Sequence, residues 1–430
     1  MEQKVYQLSE ICEIKSGKRI PKDMRFVEVP TNHPYIRARD IKDGKIGVDS
    51  LIYLEDKVYE KIKKYIICSD DIAITIVGAS VGDIAYAQTS VNGYNLTENA
   101  VRLTDFNNKV HSKYLFYMLF QKQYKDFMQL IAGAAAQPKL GIYKIQKIKV
   151  KLPDFPEQKR IASVLSAYDD LIEKNNRKIQ ILQDMAEELY KEWFVRFRFP
   201  GHETATKKES ALGNIPNSFN LIKMADIFDN YIGGGWGNDD ENKQYSIPAY
   251  VIRGTDFPSI TKGDISTCPY RWHKESNYKS RQLKPNDIVI EISGGTAEQP
   301  VGRAILVDDN LIKRFDNKVI CASFCKQVSL KQDKISPIYF YYWMKFLYDT
   351  RMIDRFQLQS TGIINFKFEY FVRKGDVLLP TKSLMDKFDN IVTTMRKDIS
   401  HLAEQNNNLK QQRDLLLPRL MSGKLEVKVS

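Results

Sequence analysis

The chain has 430 residues, 43% of them hydrophobic and 27% charged, with a net charge of +12 and a pI near 9.1. That is long enough for two or three domains with their own cores, and the composition is ordinary for a soluble globular protein. No apolar run reaches the length of a membrane span, the charged start MEQKVYQLSE is no signal peptide, and five cysteines make no disulfide framework, so the reducing cytoplasm is the expected location.

In chain order, DDIAITIVG (70–78) alternates and closes on glycine, which predicts a strand and turn. SKYLFYMLFQKQYKDFMQLI (112–131) has helical spacing behind a polar start. After Leu152-Pro153 a long helix begins, with Asp154 and Glu157 at capping-box spacing and Pro156 in the first turn. The Pro200-Gly201 pair is expected to stop it, and the polar stretch 202–218 reads as a linker. NDIVIEISGG (286–295) predicts a second strand and glycine turn, and SPIYFYYWMKFLYDTRMIDRF (336–356) a second helical segment. A second long helix follows Pro380, with Ser383 and Asp386 as its expected caps and Pro418 expected to end or sharply kink it.

The chain repeats itself. Tyr35 to Ile41 aligns with Val251 to Phe257 at a shift of 216, as do Asp71 to Ile74 with Asp287 to Ile290, and Gly78 with Gly294. Val81-Gly82 matches Val301-Gly302, and Leu152-Pro153 matches Leu379-Pro380, at larger shifts. One framework with loops of different length occurs twice. The fold class is therefore α+β, with two similar domains joined by two long helices in a pseudo-two-fold internal repeat. The divisions fall at 1–153 for the first domain, 154–199 for the first long helix, 200–380 for linker and second domain, and 381–430 for the second long helix and C-terminal tail.

Both long helices carry a heptad. Ile161, Leu165, Tyr168, Ile172, Asn175, Ile179, Leu182, Ala186, Leu189 and Trp193 recur at 4,3 spacing. Phe388, Val392, Met395, Ile399, Leu402, Asn406, Leu409, Arg413, Leu416 and Leu420 do the same. Run antiparallel, with partners summing to 581, the seams interlock as an antiparallel coiled coil. Leu165 then faces Leu416, Ala186 faces Met395, Trp193 faces Phe388, Tyr168 faces Arg413, and Asn175 faces Asn406. A buried asparagine pair fixes register at some cost in stability, which makes Asn175 and Asn406 the register residues. Ile161 and Leu420, beside Pro418, are expected to fray. The plainer reading of the heptads is core packing of two ordinary helices. Such a seam of some ten layers gives a rod of about 48 Å. Leu171 and Ile181, apolar but beside the seam, offer docking points for partner helices.

Catalytic signatures are missing. There is no phosphate loop, because GASVGD (78–83) and GGTAEQPVG (294–302) lack its lysine. The five histidines, His33, His111, His202, His273 and His401, form no metal motif, and Cys268, Cys321 and Cys325 read as buried thiols. Asp71 and Asp287 at matched positions favour a structural turn over a metal site. Residues 1–155 hold 24 Lys+Arg against 18 Asp+Glu, leaving +6 there and +6 in the remainder. A basic surplus over both halves suits a polyanionic partner, nucleic acid first. The chain reads as a binder.

The junction IYKIQKIKVKLPDFPEQKRIASVLSAYDDLIEKNNRKIQIL (142–182) resembles that of type I restriction–modification specificity subunits, which run from a Leu-Pro strand end through Glu-Gln-x-x-Ile into an Asp-x-x-Ile helix. Here these are Leu152-Pro153, Glu157-Gln158, Ile161 and Asp169 to Ile172. AAAQPKL (134–140), GNIPNSFNLIKMADIF (213–228) and LLLPRLMSGKL (415–425) are similar to further family segments. The second junction departs, with Leu384-Met385 in place of Glu-Gln. The resemblance implies a DNA-binding subunit without catalysis of its own. Two target recognition domains would each read half of a split, asymmetric site, held apart by the coiled coil. The implied partners are double-stranded DNA, two modification (methyltransferase) subunits and restriction (translocase–nuclease) subunits. S-adenosylmethionine, ATP and magnesium would belong to those partners, leaving no cofactor in this chain.

Base-reading residues should lie where the copies differ and carry polar groups. In the first domain these are Lys15, Lys18, Arg19, Arg37, Arg39, Ser80, Gln137 and Lys139. In the second they are Trp236, Asn238, Arg253, Thr255, Arg271, Trp272, Glu298, Gln299, Gln359 and Ser360. Arg37 and Arg253 match across the copies and are equally suited to holding the framework. The glycine run at 233–237 either lets backbone approach DNA or forms a plain flexible loop. Two other classes compete with the DNA reader: a coiled-coil scaffold whose flanking domains bind proteins, and a nuclease or helicase accessory enzyme.

Overall fold

The computed structural model describes residues 3–134, 137–296, 299–360 and 363–427, with backbone alone at Gln359 and Ser360. It divides into two compact units, residues 1–171 with 409–430, and residues 172–408. Among the described residues no helix is long and apolar enough to cross a membrane.

In the first unit a four-stranded antiparallel sheet orders Glu13–Ser16, Ala100–Thr104, Ile72–Thr75 and Ile84–Tyr86. All four residues of Ile72–Thr75 are buried, because the strand is covered on both faces. Ile72 and Ile74 pack with Val101, Leu103 and the helix Ser112–Phe120 in the main core. Ala73 faces a thinner cluster with Ile36, Ala85, Leu96 and Ala100, where small side chains suit the smaller space. Burying each of these large aliphatic side chains contributes about 1.5–3 kcal/mol. A three-stranded sheet sets Pro34–Ile36 antiparallel to Ile52–Tyr53 and parallel to Asn95–Leu96. Lys4–Gln7 pairs with Lys149–Leu152, whose end leads into the first long helix.

The second unit repeats this plan. Its four-stranded sheet orders Phe228–Gly233, Cys325–Leu330, Ile288–Glu291 and Ala304–Leu306. Its three-stranded sheet sets Ile247–Ile252 antiparallel to Tyr270–His273 and parallel to Val319–Cys321. Asn220–Lys223 pairs with Asp376–Leu379. Two additions distinguish it. Lys207–Ser210 and Gly213–Pro216 form a hairpin inside the stretch that reads as a linker. Gln357–Ser360 and Ile363–Phe366 form another, extended by Ser293–Gly295. Among the described residues the first unit has only the isolated Val77–Lys139 bridge at that place.

The predicted turns share their chemistry. Asp70 and Asn286, 216 residues apart, take left-handed φ of 70° and 74°. These residue types tolerate that conformation best after glycine. The next residue in each copy, Asp71 or Asp287, accepts the Cys68 amide at 2.8 Å or the Lys284 amide at 2.7 Å. Both carboxylates are buried inside the framework. Cys268, Cys321 and Cys325 are buried free thiols, and burial pushes Cys268 and Cys321 up to about 12.

The long helices span Phe155–Tyr190 and Lys382–Met421, and every heptad position is buried or half-buried. Their antiparallel pairing is seen within each unit. In the second, the Asn175 side-chain amide donates to Asn406 Oδ1 at 3.0 Å, and Ala186, Val392, Phe388 and Trp193 share one core. In the first, Ile161, Leu165 and Leu420 share the main core. Ile161 and Leu420 are fully buried and do not fray. Pro418 does not end the second helix; it lies in the last turn, where a proline interrupts little of the remaining ladder. The helix stops one turn later at Gly423, φ 71°, whose amide donates to the Leu420 carbonyl.

Three further expectations are corrected. The first long helix ends well before Pro200, in a π turn over Lys191–Val195 followed by Phe197 at φ 58°. Trp193 and Phe194 are held there in an aromatic cluster with Tyr190, Tyr339 and Phe388. The second helix is capped by Thr381, whose hydroxyl accepts the Leu384 amide at 3.4 Å, and not by Ser383. Arg413 turns to Asp169 instead of Tyr168, at 2.5 Å, and Asp169 also accepts the Tyr117 hydroxyl. An anionic partner holds the guanidinium more strongly than a phenol does.

Candidate nucleic-acid interface

One end of each four-stranded sheet is built from the same backbone contacts. In the first unit the Gly17 amide donates to Ala100 at 3.1 Å, Lys18 to Leu96 at 2.8 Å, and Ile76 to Asn99 at 2.8 Å. In the second, Gly234 donates to Cys325 at 3.0 Å, Gly235 to Cys321 at 2.9 Å, and Ile292 to Phe324 at 2.9 Å. The strands come so close that a Cβ on Gly17 would lie 2.1 Å from the Thr97 carbonyl oxygen. One on Gly234 would lie 2.2 Å from the Ala322 carbonyl oxygen. Gly237, φ 74°, is likewise pressed against His273 and the Trp272 carbonyl. These glycines of the run at 233–237 therefore serve close packing of the chain on itself, which neither sequence reading anticipated.

In the first unit the sheet end gathers most of the predicted residues. Lys18 and Arg19 follow the edge strand. The Lys18 ammonium lies 5.6 Å from the Tyr65 ring centre, and Arg19 pairs with Glu98. Burial raises Glu98, but the Arg19 hydrogen bond and charge, a backbone hydrogen bond and the Thr97 hydroxyl together more than offset it, leaving the carboxyl below its usual range. Half-buried Ser80 and exposed Gln137 and Lys139 sit on two loops joined by the Gly78 amide to the Pro138 carbonyl, 3.0 Å. Lys15 lies further along the strand and pairs with Glu13 and Asp105. The Lys15 hydrogen bond lowers Asp105 below the ordinary carboxylate range. Arg37 is bidentate to Asp40, at 2.9 Å for both bonds, while Arg39 is exposed in the same turn.

In the second unit Trp236, Asn238, Arg271 and Trp272 come together. Asn238 and Trp272 exchange backbone bonds of 2.8 and 3.0 Å. The Arg271 guanidinium stacks 4.5 Å from the Trp236 ring centre and pairs with Asp239. Burial, with Arg271 adjacent, lowers His273 below the ordinary histidine range. Arg253 repeats the Arg37 arrangement, bidentate to Asp256 at 2.9 and 2.8 Å, and Thr255 is exposed in that turn. The Gln299 amide lies 3.0 and 2.9 Å from the Arg303 guanidinium. Gln359 and Ser360 belong to the strand Gln357–Ser360 of the added hairpin, and Glu298 falls outside the described residues.

Sequence reasoning passed over several exposed apolar residues at this end, above all Phe324, with Leu358 and Ile363 on the added hairpin. A search limited to polar residues could not find them. The usable signal was the repeat itself, because Phe324 stands where the first copy has Asn99, 225 residues earlier.

Comparison with known proteins agrees with this framework. The family described as "Type I restriction modification DNA specificity domain" matches residues 2–183. The type I restriction enzyme MjaVIII specificity subunit of Methanocaldococcus jannaschii is 23% identical over 431 residues, covering 96% of this chain and 95% of that protein. The MjaIX specificity subunit of the same organism is 23% identical over 363 residues, covering 82% and 78%. The fold is similar to that of a type I restriction–modification S subunit from M. genitalium, with TM-score 0.55, 13% identity, and 100% and 97% of the two chains covered. The plan of the matched segment recurs in the second unit as a structural repeat, and over nearly its whole length the chain is similar to type I restriction enzyme specificity subunits.

Proposed function

We propose that this chain is the sequence-reading DNA-binding subunit of its restriction–modification complex, each unit reading one half of a bipartite, asymmetric site. The observation that carries this is the repeated sheet end. Two copies of one backbone frame present different side chains at matched positions, Arg19 against Trp236 and Asn99 against Phe324. Phosphate contacts position such a protein, and base contacts specify the sequence. The net charge of +12 favours a polyanion, and binding should fall steeply with added salt.

The two long helices act as the ruler in this reading. Thirty-six residues of the first helix extend about 54 Å, more than the roughly 34–36 Å of one DNA turn. The chain contributes no catalysis and holds no cofactor. Two methyltransferase subunits and the translocase–nuclease subunits supply those, with S-adenosylmethionine, ATP and magnesium bound on them. Leu171 and Ile181 are 39% and 50% exposed on the first helix and are suited to contacting partner helices.

The test is base-resolution mapping of methylated adenine in cells with and without the gene. Loss of one bipartite motif is expected, and an unchanged set of motifs would refute the reading. Inserting seven residues into one long helix should abolish the motif or shift its gap. An unchanged motif would end the ruler idea.

A further inference from the structure

We infer that Phe324 is a specificity residue of the second unit and reads the 5-methyl group of a thymine in its half-site. The inference rests on the proposed DNA-reading role and adds to it a base and a contact.

The turn carrying Phe324 is framework in its backbone and variable in its side chains. The Ala322 amide donates to the Ile252 carbonyl at 2.8 Å, as Thr97 does to Ile36 at 3.0 Å. Cys325 closes the turn onto Ala322 at 2.8 Å, as Ala100 closes onto Thr97 at 3.1 Å. On that common backbone the first unit places Thr97-Glu98-Asn99, and the second Ala322-Ser323-Phe324. In the first unit Glu98 accepts from Arg19 and from the Thr97 hydroxyl. In the second, alanine and phenylalanine flank Ser323, and Phe324 is 67% exposed. The fold does not need an aromatic here, because the first unit closes the same turn with asparagine.

The neighbouring segments carry the same character. The Ile292 amide donates to Phe324, and the Ile292 carbonyl accepts from Phe366 at 2.9 Å, which ties the turn to the added hairpin. That hairpin exposes Leu358 and Ile363, each at 52%, and the adjacent glycine segment exposes Trp236 at 41%. Thymine is the only base that presents a methyl group in the major groove, and an aromatic or aliphatic side chain is what recognises it.

The experiment uses the full chain and duplexes containing its motif, with each thymine of the second unit's half-site replaced in turn by uracil. The wild type should lose affinity about fourfold at one position, the worth of one buried methyl. Phe324→Ala should bind the unmodified duplex about tenfold more weakly and lose nothing further at that position. Phe324→Leu should fall between the two. Unchanged thermal unfolding of both variants shows that the exposed position is not structural. A wild type that prefers its motif but ignores every uracil overturns the thymine contact alone. Weaker binding by Phe324→Ala that keeps the wild-type uracil sensitivity also overturns it, and points to stacking or wedging by the ring. A wild type without sequence preference removes the DNA-reading role and this inference together.

Discussion

The two units bury the same aspartate and compensate it differently. Asp71 is paired with Arg102 at 2.7 Å, whereas Asp287 accepts Gln327 and Ser329, both at 2.7 Å. Arg102 and Gln327 hold the same ladder position, opposite Ala73 and Val289, each two residues past its aspartate. What both copies keep is the carboxylate that ties the turn before the central strand. What differs is the counter-group, ionic in one and neutral in the other. A second matched position diverges further: the buried Thr75 hydroxyl has no hydrogen-bond partner, whereas Glu291 at the same place in the second unit is bidentate to Arg303 at 2.8 and 2.7 Å. The framework therefore fixes where a buried polar group sits, and the two copies treat that group differently.

The sharpest way to break this comparison is to remove the counter-groups. Arg102→Met leaves Asp71 buried with only its backbone donor, and should cost about 3–5 kcal/mol. Gln327→Met leaves Asp287 with Ser329 and the Lys284 amide, and should cost about 1–3 kcal/mol. Urea unfolding of the full chain measures both. Equal losses would mean that the charge on Arg102 matters no more than the hydrogen bonds that replace it in the second unit.

Much of the framework was legible in the sequence because strand alternation, turn aspartates and glycines are local signals. The heptads were legible for the same reason, and the rule of partners summing to 581 places Asn175 opposite Asn406. The end-on details were not. Where Arg413 turns depends on Asp169 one residue off the seam, and on the Phe120 ring 5.9 Å beneath it, which are contacts of packing rather than of period. The π turn at Lys191–Val195 follows from an aromatic cluster assembled from distant segments. The departure of the second junction from Glu-Gln also has a physical reason that only the fold displays. Gln158 accepts the His111 amide at 2.9 Å and donates to the Lys109 and Pro153 carbonyls. In the second unit Leu384 and Met385 join the core instead. The helix start is held by Ser336, which accepts the Tyr339 amide and donates to Asp389. The candidate interface residues were the least legible, because exposure and partners decide them and neither has a period.

The register devices give the next comparison. The layers of the first unit at Ile161 and Leu420 are apolar, and its polar lock is the Arg413–Asp169–Tyr117 group. The second unit holds the buried asparagine layer, in which Asn175 also donates to Gln405 and Asn406 donates to Asn176, both at 2.9 Å. Replacing Asn175 and Asn406 together by leucine should stabilise the chain by roughly 1–2 kcal/mol, since the buried amides are removed as a pair. The same change should loosen register. Engineered cysteines at Leu182 and Ile399 form the in-step pair, and cysteines at Leu182 and Val392 a pair one heptad out of step. Crosslinking of the two pairs reports the register. Unaltered selectivity for the in-step pair would show that the asparagines are not the register device.

The smallest effect concerns the two helix starts just compared. Burial pushes Asp389 up to about 6, from the usual carboxylate range. Between the unfolded and folded values the native state binds the extra proton, so stability falls as pH rises through that interval. Above about pH 6 the native state must carry the ionised group, and the cost is fully present. Asp389→Asn keeps an oxygen to accept the Ser336 hydroxyl at the position now 2.8 Å away, and removes the charge. It should raise the unfolding temperature by about 1–3 °C at about pH 7.5, and by less at about pH 5. The first unit has Ala162 at the matching helix position and should show no such pH-dependent gain from substitution there. A gain of the same size at both pH values would mean that Asp389 acts through packing and not through its charge.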